Sequence, residues 1–219
     1  NLNILSNYSK IEKNIQSQAR TIRYNLLKNF CKKKKIDIIL TAHNLEDQVE
    51  TFFIRLSRGS GITGLSAMEN LSYLNGKIRL CRPLLDVRKK TLKKISKSIF
   101  KKYIKDPSNK NIKYLRTKIR NLEKPLKQSG INYDQIIKSI NNLASTKDII
   151  DDYYNKIFKD ITKISKKEVH IYLGDFMKLQ GEIKIRVINE SIKKLKKNYY
   201  NPRSRKVLNL IKKIKSNKF

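Results

Sequence analysis

His43, Asp47 and Glu50 stand four and three residues apart, directly after the apolar run 36–40. An imidazole passes protons near neutral pH and a carboxylate holds a proton or a cation, so the trio has the chemistry of a polar site. Leu45, Val49, Phe52, Phe53 and Leu56 recur at helical spacing through the same stretch and form one apolar stripe. The three polar side chains are therefore expected to project away from the packing face. Plainer readings exist for each. Asn44 and Asp47 also fit the N-cap and N3 positions of a capping box, and His43 fits a hydrogen-bonded strand end. Arg58, Gly59, Ser60 and Gly61 follow the helix; three of the seven glycines fall within residues 59–64, a pattern that also simply stops a helix.

The elements that must position these residues are partly visible. Residues 36–40 are short, β-branched and apolar except for Asp37, as expected of a strand covered on both faces. Strand, polar cluster, helix is the order that places a ligand crevice at the carboxyl end of a strand in open α/β sheets. Upstream, residues 11–30 read as a helix carrying Arg20, Arg23 and Tyr24, with a solvated turn at 31–35. Downstream, 65–74 reads as a loop with a short helix, Asn75-Gly76 as a turn, 77–80 as a second strand and 87–103 as a helix. Asp106-Pro107-Ser108-Asn109 is turn chemistry, followed by a basic helix on which Lys113, Arg116 and Arg120 share a face. A guanidinium grips phosphate with two parallel hydrogen bonds, which sets the arginines apart from the lysines.

Pro125 and Gly130 mark a boundary. Beyond it the chain reads as helical: one or two helices over 131–158, a short extended piece at 169–173, a helix capped at or near Asp175 with Ile183, Val187 and Ile188 inside, and a last basic helix over 203–214. Tyr199 and Tyr200, set among cations, suit stacking on unpaired bases and suit a small core equally well.

Composition narrows the class. The chain has 219 residues, 39% of them hydrophobic, and a formal charge of +33. Such a field favours polyanions, nucleic acid above all, although heavy use of Lys, Asn and Ile is also what AT-rich coding produces. No apolar run is long enough for a membrane span. Cys31 and Cys81 are isolated, which fits a cytoplasmic location and argues against a zinc site. His170 reads as a structural histidine.

In combination the motifs resemble a family, tRNA(Ile)-lysidine synthetase of the N-type ATP pyrophosphatase (PP-loop) group. The resemblance rests on Ala42-His43, Glu46-Asp47-Gln48, Glu50-Thr51, Arg55 and Arg58-Gly59-Ser60-Gly61 before Gly64-Leu65. Arg82-Pro83-Leu84-Leu85 adds a second match. Asp106 to Asn109 with Tyr114-Leu115-Arg116 and Ile119-Arg120 is a third, and Ala19-Arg20 with Arg23-Tyr24 a fourth. It covers about residues 15–215, and four ordered motifs are far more specific than a lone glycine pattern.

The resemblance implies a Rossmann-like, adenine nucleotide alpha hydrolase-like parallel sheet domain over residues 1–128, then a helical tRNA-binding domain over 129–219. It implies ATP and Mg2+ as cofactors, and L-lysine and a tRNA(Ile) with a CAU anticodon as partners. The implied reaction adenylates the wobble cytidine at its C2 oxygen, after which an amine of lysine displaces AMP and forms lysidine. His43, Asp47 and Arg23 then take catalytic roles, with Asp47 as the magnesium ligand. Glu50, Arg58, Gly59, Ser60, Gly61, Arg116 and Arg120 bind ATP or substrate. The family's Ser-Gly-Gly-x-Asp-Ser loop does not occur in these residues, so the expectation is a chain lacking its N-terminal strand and loop, inactive alone. Thr117 and Asn44 replace the family's usual asparagine and second histidine. A related PP-loop tRNA 2-thiolation enzyme and a noncatalytic RNA-binding fragment are the alternatives.

Overall fold

The computed structural model describes residues 15–74, 78–101, 114–165, 167–195 and 204–216. The Asn75-Gly76 turn, the Asp106–Asn109 loop with Lys113, and residues 199–203 lie outside them. The chain forms two compact units, 1–144 and 145–219.

The first unit is built on a three-stranded sheet. β1 (Ile38–Leu40) pairs in parallel with β3 (Ile78–Cys81), and β2 (Leu71–Leu74) pairs antiparallel with β3, giving the order β1-β3-β2. The sheet is thus mixed, with an antiparallel β2–β3 hairpin that periodicity did not reveal: 71–74 reads as a loop because four residues are too few to establish alternation. β1 is also not covered on both faces. Ile39 is buried with Cys31, Ile78 and Leu80, whereas Ile38 and Leu40 are 41% and 65% exposed.

α1 (Ile15–Lys34) runs through the stretch expected to be a turn. Lysine is a good helix former, and Cys31 continues the apolar line of Tyr24 and Leu27 into the sheet. The helix stops at Lys35, which takes the left-handed conformation at φ 53, and Ile36 N–H donates to Cys31 O at 2.8 Å.

α2 (Leu45–Leu56) buries Leu45 and Val49 completely, with Phe52 and Phe53 packed beside them; Leu56, expected inside, is 47% exposed. The core that receives this stripe includes Ala67, Tyr133, Ile136 and Ile140. The last three belong to α7 (Tyr133–Ile161), which is one continuous helix. Burial pushes the Tyr133 phenol up to about 12.

The end of α2 is a tight reversal. Gly59 lies at φ 66, with Gly59 N–H donating to Leu56 O and Ser60 N–H to Arg55 O, a Schellman-type closure. Arg55 Nη1 donates to the carbonyls of Gly64 and Ala67 at 2.7 and 2.6 Å, tying down α3 (Ile62–Leu65) and the loop after it. Gly64 is required by space: a Cβ there would lie 2.5 Å from Ser60 Cβ. Gly64→Ala is expected to destabilise by about 1–3 kcal/mol through this overlap. Gly61→Ala, which meets nothing, should leave the thermal melting midpoint unchanged. Equal midpoints for the two variants would show that the turn yields freely.

α4 (Lys89–Phe100), α5 (Leu115–Arg120) and α6 (Glu123–Gln128) complete the first unit, with Thr117 and Ile119 of α5 buried. In the second unit, β4 (Thr162–Ile164) and β5 (Val169–Ile171) form an antiparallel hairpin. They pack with α8 (Leu173–Lys178), α9 (Gly181–Leu195) and α10 (Ser204–Lys215) around Tyr154, Phe158, Phe176, Val187 and Val207. Asp175 is not a cap; it lies in the first turn of α8, whose N-cap is Tyr172. Arg186 lies 4.3 Å from the Tyr154 ring centre and pairs with Asp151, so part of this unit's charge is structural. His170 is largely exposed and pairs with Glu168 at 2.9 Å; it is a surface histidine.

Candidate active site

The site is assembled where β1 ends. Thr41 N–H donates to Cys81 O at 2.9 Å, extending the parallel pairing by one residue. The chain then turns outward through His43, and α2 begins. Thr41 Oγ1 and His43 Nδ1 are hydrogen-bonded at 2.9 Å, which fixes the ring orientation. Burial lowers the affinity of His43 for a proton. Asp47 opposes that effect, while Arg82, Arg20 and Arg116 reinforce it. The imidazole is therefore held neutral at neutral pH, within the fields of one carboxylate and three guanidiniums.

The capping box expected from Asn44 and Asp47 is present. Asp47 N–H donates to Asn44 Oδ1, and Asn44 N–H donates to Asp47 Oδ2, both at 3.1 Å. The cap does not exhaust Asp47: its Oδ1 lies 4.0 Å from Arg120 Nη2. The neighbouring residues of the same turn are engaged elsewhere. Glu46 Oε2 accepts from Lys89 N–H at 2.8 Å, satisfying an open donor at the start of α4. Gln48 holds the backbone of Met68 from both sides, donating to its carbonyl and accepting from its N–H at 2.8 Å each.

Glu50 departs furthest from the sequence expectation. It does not project to an open face; it is 1% exposed, covered by α5 through Arg120. Arg120 Nε donates to one carboxylate oxygen and Nη2 to the other, the second at 3.2 Å. Burial pushes the Glu50 carboxyl up, and Arg120 pulls it part of the way back. The same contact holds Arg120 firmly charged. A carboxylate occupied on both oxygens positions the guanidinium; it is not an open receptor for an ammonium ion.

The structure thus brings His43, Asp47, Glu50, Arg116 and Arg120 together. It does not bring Arg58, Gly59, Ser60 or Gly61 to them: these follow the far end of α2, whose last residue Leu56 lies roughly 13 Å along the axis from Asp47 at 1.5 Å per residue. Arg23 is exposed on α1, and the arginine of that helix whose field reaches His43 is Arg20. Arg20 also lies 5.0 Å from the Tyr24 ring centre. Arg20 and Arg82 were missed as site residues, although both stand inside quoted motifs. Arg82 is buried and donates to Glu69 O and Ser72 Oγ at 2.7 and 3.0 Å, so it shapes the loop as well as the field.

Among the described residues no group of three or more His, Cys, Asp or Glu could hold a metal alone. Asp47 Oδ1 fits a single carboxylate ligand, the number magnesium takes when phosphate oxygens and water complete its shell. Cys31 is buried, which pushes its thiol up and away from reactivity; Cys81 is also free. No helix among the described residues is long and apolar enough to cross a membrane.

Comparison with known proteins finds relatives over most of this chain. Curated relatives named tRNA(Ile)-lysidine synthase include one from Wolbachia pipientis wMel, 37% identical over 194 residues, covering 88% of this chain and 45% of that protein. One from the Wolbachia of Brugia malayi is 35% identical over 205 residues, covering 93% and 47%. One from Orientia tsutsugamushi is 47% identical over 113 residues, covering 52% and 25%. The chain spans about half the length of the first two. Among solved structures, the U34-tRNA thiolase NcsA from Methanococcus maripaludis matches with a TM-score of 0.48 at 16% identity, covering 61% of this chain and 46% of that one. The PP-loop domain model matches residues 2–125, the stretch that holds β1, α2 and every residue gathered around His43, and the chain belongs to this ATP-binding family.

Proposed function

We propose that this chain is part of a tRNA(Ile)-lysidine synthase, with a catalytic PP-loop region over residues 1–128 and a helical tRNA-binding region over 129–219. The observation that carries the reading is 35–37% identity over some nine-tenths of the chain to proteins of that name. The substrates are ATP, L-lysine and a tRNA(Ile) with a CAU anticodon. The C2 oxygen of the wobble cytidine attacks the α-phosphorus of ATP and pyrophosphate leaves. A lysine amine then forms a bond to C2 as the C2–O bond breaks and AMP departs, with one amine proton going to a base.

The geometry suggests a role for each residue. His43, held neutral with Nδ1 engaged by Thr41, suits proton transfer through Nε2. Asp47 Oδ1 would hold magnesium, which would supply positive charge at the phosphates. Arg116 and Arg120 would stabilise anionic oxygens, the latter set in place by Glu50.

The test uses the 219-residue chain itself. It should bind tRNA with an affinity that falls steeply as salt rises, because phosphate neutralisation releases counterions. It should form no lysidine, since it contains no Ser-Gly-Gly-x-Asp-Ser loop whose amides would stabilise the departing pyrophosphate. Filter binding at several salt concentrations, with a lysine-incorporation assay alongside, checks both. Lysidine formation by this chain would overturn the need for the loop. Absence of tRNA binding at low salt would overturn the RNA reading.

A further inference from the structure

Next to the Asp47–Arg120–Glu50 cluster, the first unit has a second feature, of which the reaction above uses only Arg120. Arg120, Asn121, Glu123, Lys124 and Lys127 line a recess of about 490 Å³ at the junction of α5 and α6. We propose that this recess is a binding site for an RNA phosphodiester, which holds the strand beside the wobble nucleotide. The proposal rests on the tRNA reading above and adds a location to it.

The lining combines two kinds of cation. Arg120 forms the inner wall; Glu50 holds its guanidinium in place, and Glu50 and Asp47 offset its charge. Lys124 and Lys127 are both exposed and stand three residues apart on one face of α6. They supply the excess positive charge, against the single carboxylate of Glu123. A positioned guanidinium behind two exposed ammonium groups suits a phosphate that arrives on a flexible strand.

The shape separates this ligand from a small molecule. Small-molecule pockets enclose most of their ligand. Here four of the five lining residues are exposed, so a ligand remains largely in solvent, as a polymer backbone does. Arg120 belongs both to the recess and to the His43–Asp47 cluster. A phosphate bound in the recess therefore leads the adjoining nucleotide toward that cluster. Lysines outside the recess, such as Lys32 and Lys33 in the last turn of α1, are exposed as well but do not line it.

The experiment compares Lys124→Ala/Lys127→Ala with Lys32→Ala/Lys33→Ala in the 219-residue chain, using a labelled CAU anticodon stem–loop RNA. Both pairs are exposed, and circular dichroism should report an unchanged fold. Losing two single-strand phosphate contacts, at ~0.7 each, flattens the log–log salt slope by roughly 1.4 and weakens binding about tenfold at ordinary ionic strength. The α1 pair should stay within about twofold of the parent, as expected of a diffuse surface charge. Excess ATP should not displace the RNA. Equal losses from the two pairs, or no loss from the α6 pair, would remove the recess while leaving the tRNA reading intact. Displacement of RNA by ATP from the parent but not from the α6 variant would assign the recess to nucleotide phosphate and overturn the proposal. Absence of RNA binding by the parent chain at low salt would remove the tRNA reading and this inference with it.

Discussion

Replacing Asp47 with Asn should cut tRNA-dependent pyrophosphate release by about 10²-fold or more in a protein that carries the Ser-Gly-Gly-x-Asp-Ser loop, the scale set by removing one charge-stabilising group from an active site. The fold should hardly change. Asn retains a side-chain oxygen at N3, so Asn44 N–H keeps an acceptor and Asp47 N–H still donates to Asn44 Oδ1. Capping losses of this kind amount to at most ~1 kcal/mol. What disappears is the negative charge at Oδ1, the group that faces Arg120 and the main influence favouring a proton on His43.

A second readout follows from His43. Its proton affinity in the fold is already below the usual 6.5, so the unfolded chain binds the proton more readily and stability declines as pH falls through that range. Without Asp47 the imidazole should titrate lower still, which the NMR shift of its ring proton against pH would report. Near-normal turnover, an unmoved His43 titration and a melting midpoint a few degrees lower would together reduce Asp47 to a helix cap.

Arg120→Ala should destabilise the first unit by about 2–3 kcal/mol near pH 8. Removing one partner of a buried pair leaves the other charge uncompensated, and the value is set below the usual range because the Arg120 side chain is 28% exposed. The loss should shrink on acidification. With its partner gone, Glu50 is raised further by burial, so the folded state binds a proton that the unfolded state has released. Stability then falls as pH rises from the ordinary carboxyl range through the raised folded value. Urea unfolding of parent and variant at pH 5.5 and pH 8 measures the difference. A pH-independent loss would mean that Glu50 finds water or another donor once Arg120 is removed.

What the sequence disclosed and what it hid divide by distance along the chain. The Asn44–Asp47 cap and the Leu45–Val49 stripe were legible because each depends on residues three or four positions apart. The glycine turn was legible as a helix stop for the same reason. The burial of Glu50 was not, since its partner lies 70 residues away. Nothing near Glu50 signals that α5 will cover it. Resemblance marked Arg55, Gln48 and Arg82 but could not say that their main contacts are backbone groups of the loop at 64–69 and Ser72. β2 was hidden because its evidence is its pairing with β3, not its own four residues. The α1 terminus was misplaced because a lysine run looks solvated whether or not a cysteine inside it is packed.

The incomplete cover of β1 has a colloidal consequence. Among the described residues β1 is an edge strand, and it presents Ile38 and Leu40 to water beside unpaired backbone groups. Such an edge invites pairing with another copy of itself. The opposing influence is the net charge of +33, whose mutual repulsion reaches about 10 Å at 0.1 M salt and only ~3 Å at 1 M. The same ions that loosen this protein's hold on a polyanion therefore also lower the barrier between its own molecules, so dilute electrolyte favours dispersed chains and concentrated electrolyte favours their coagulation.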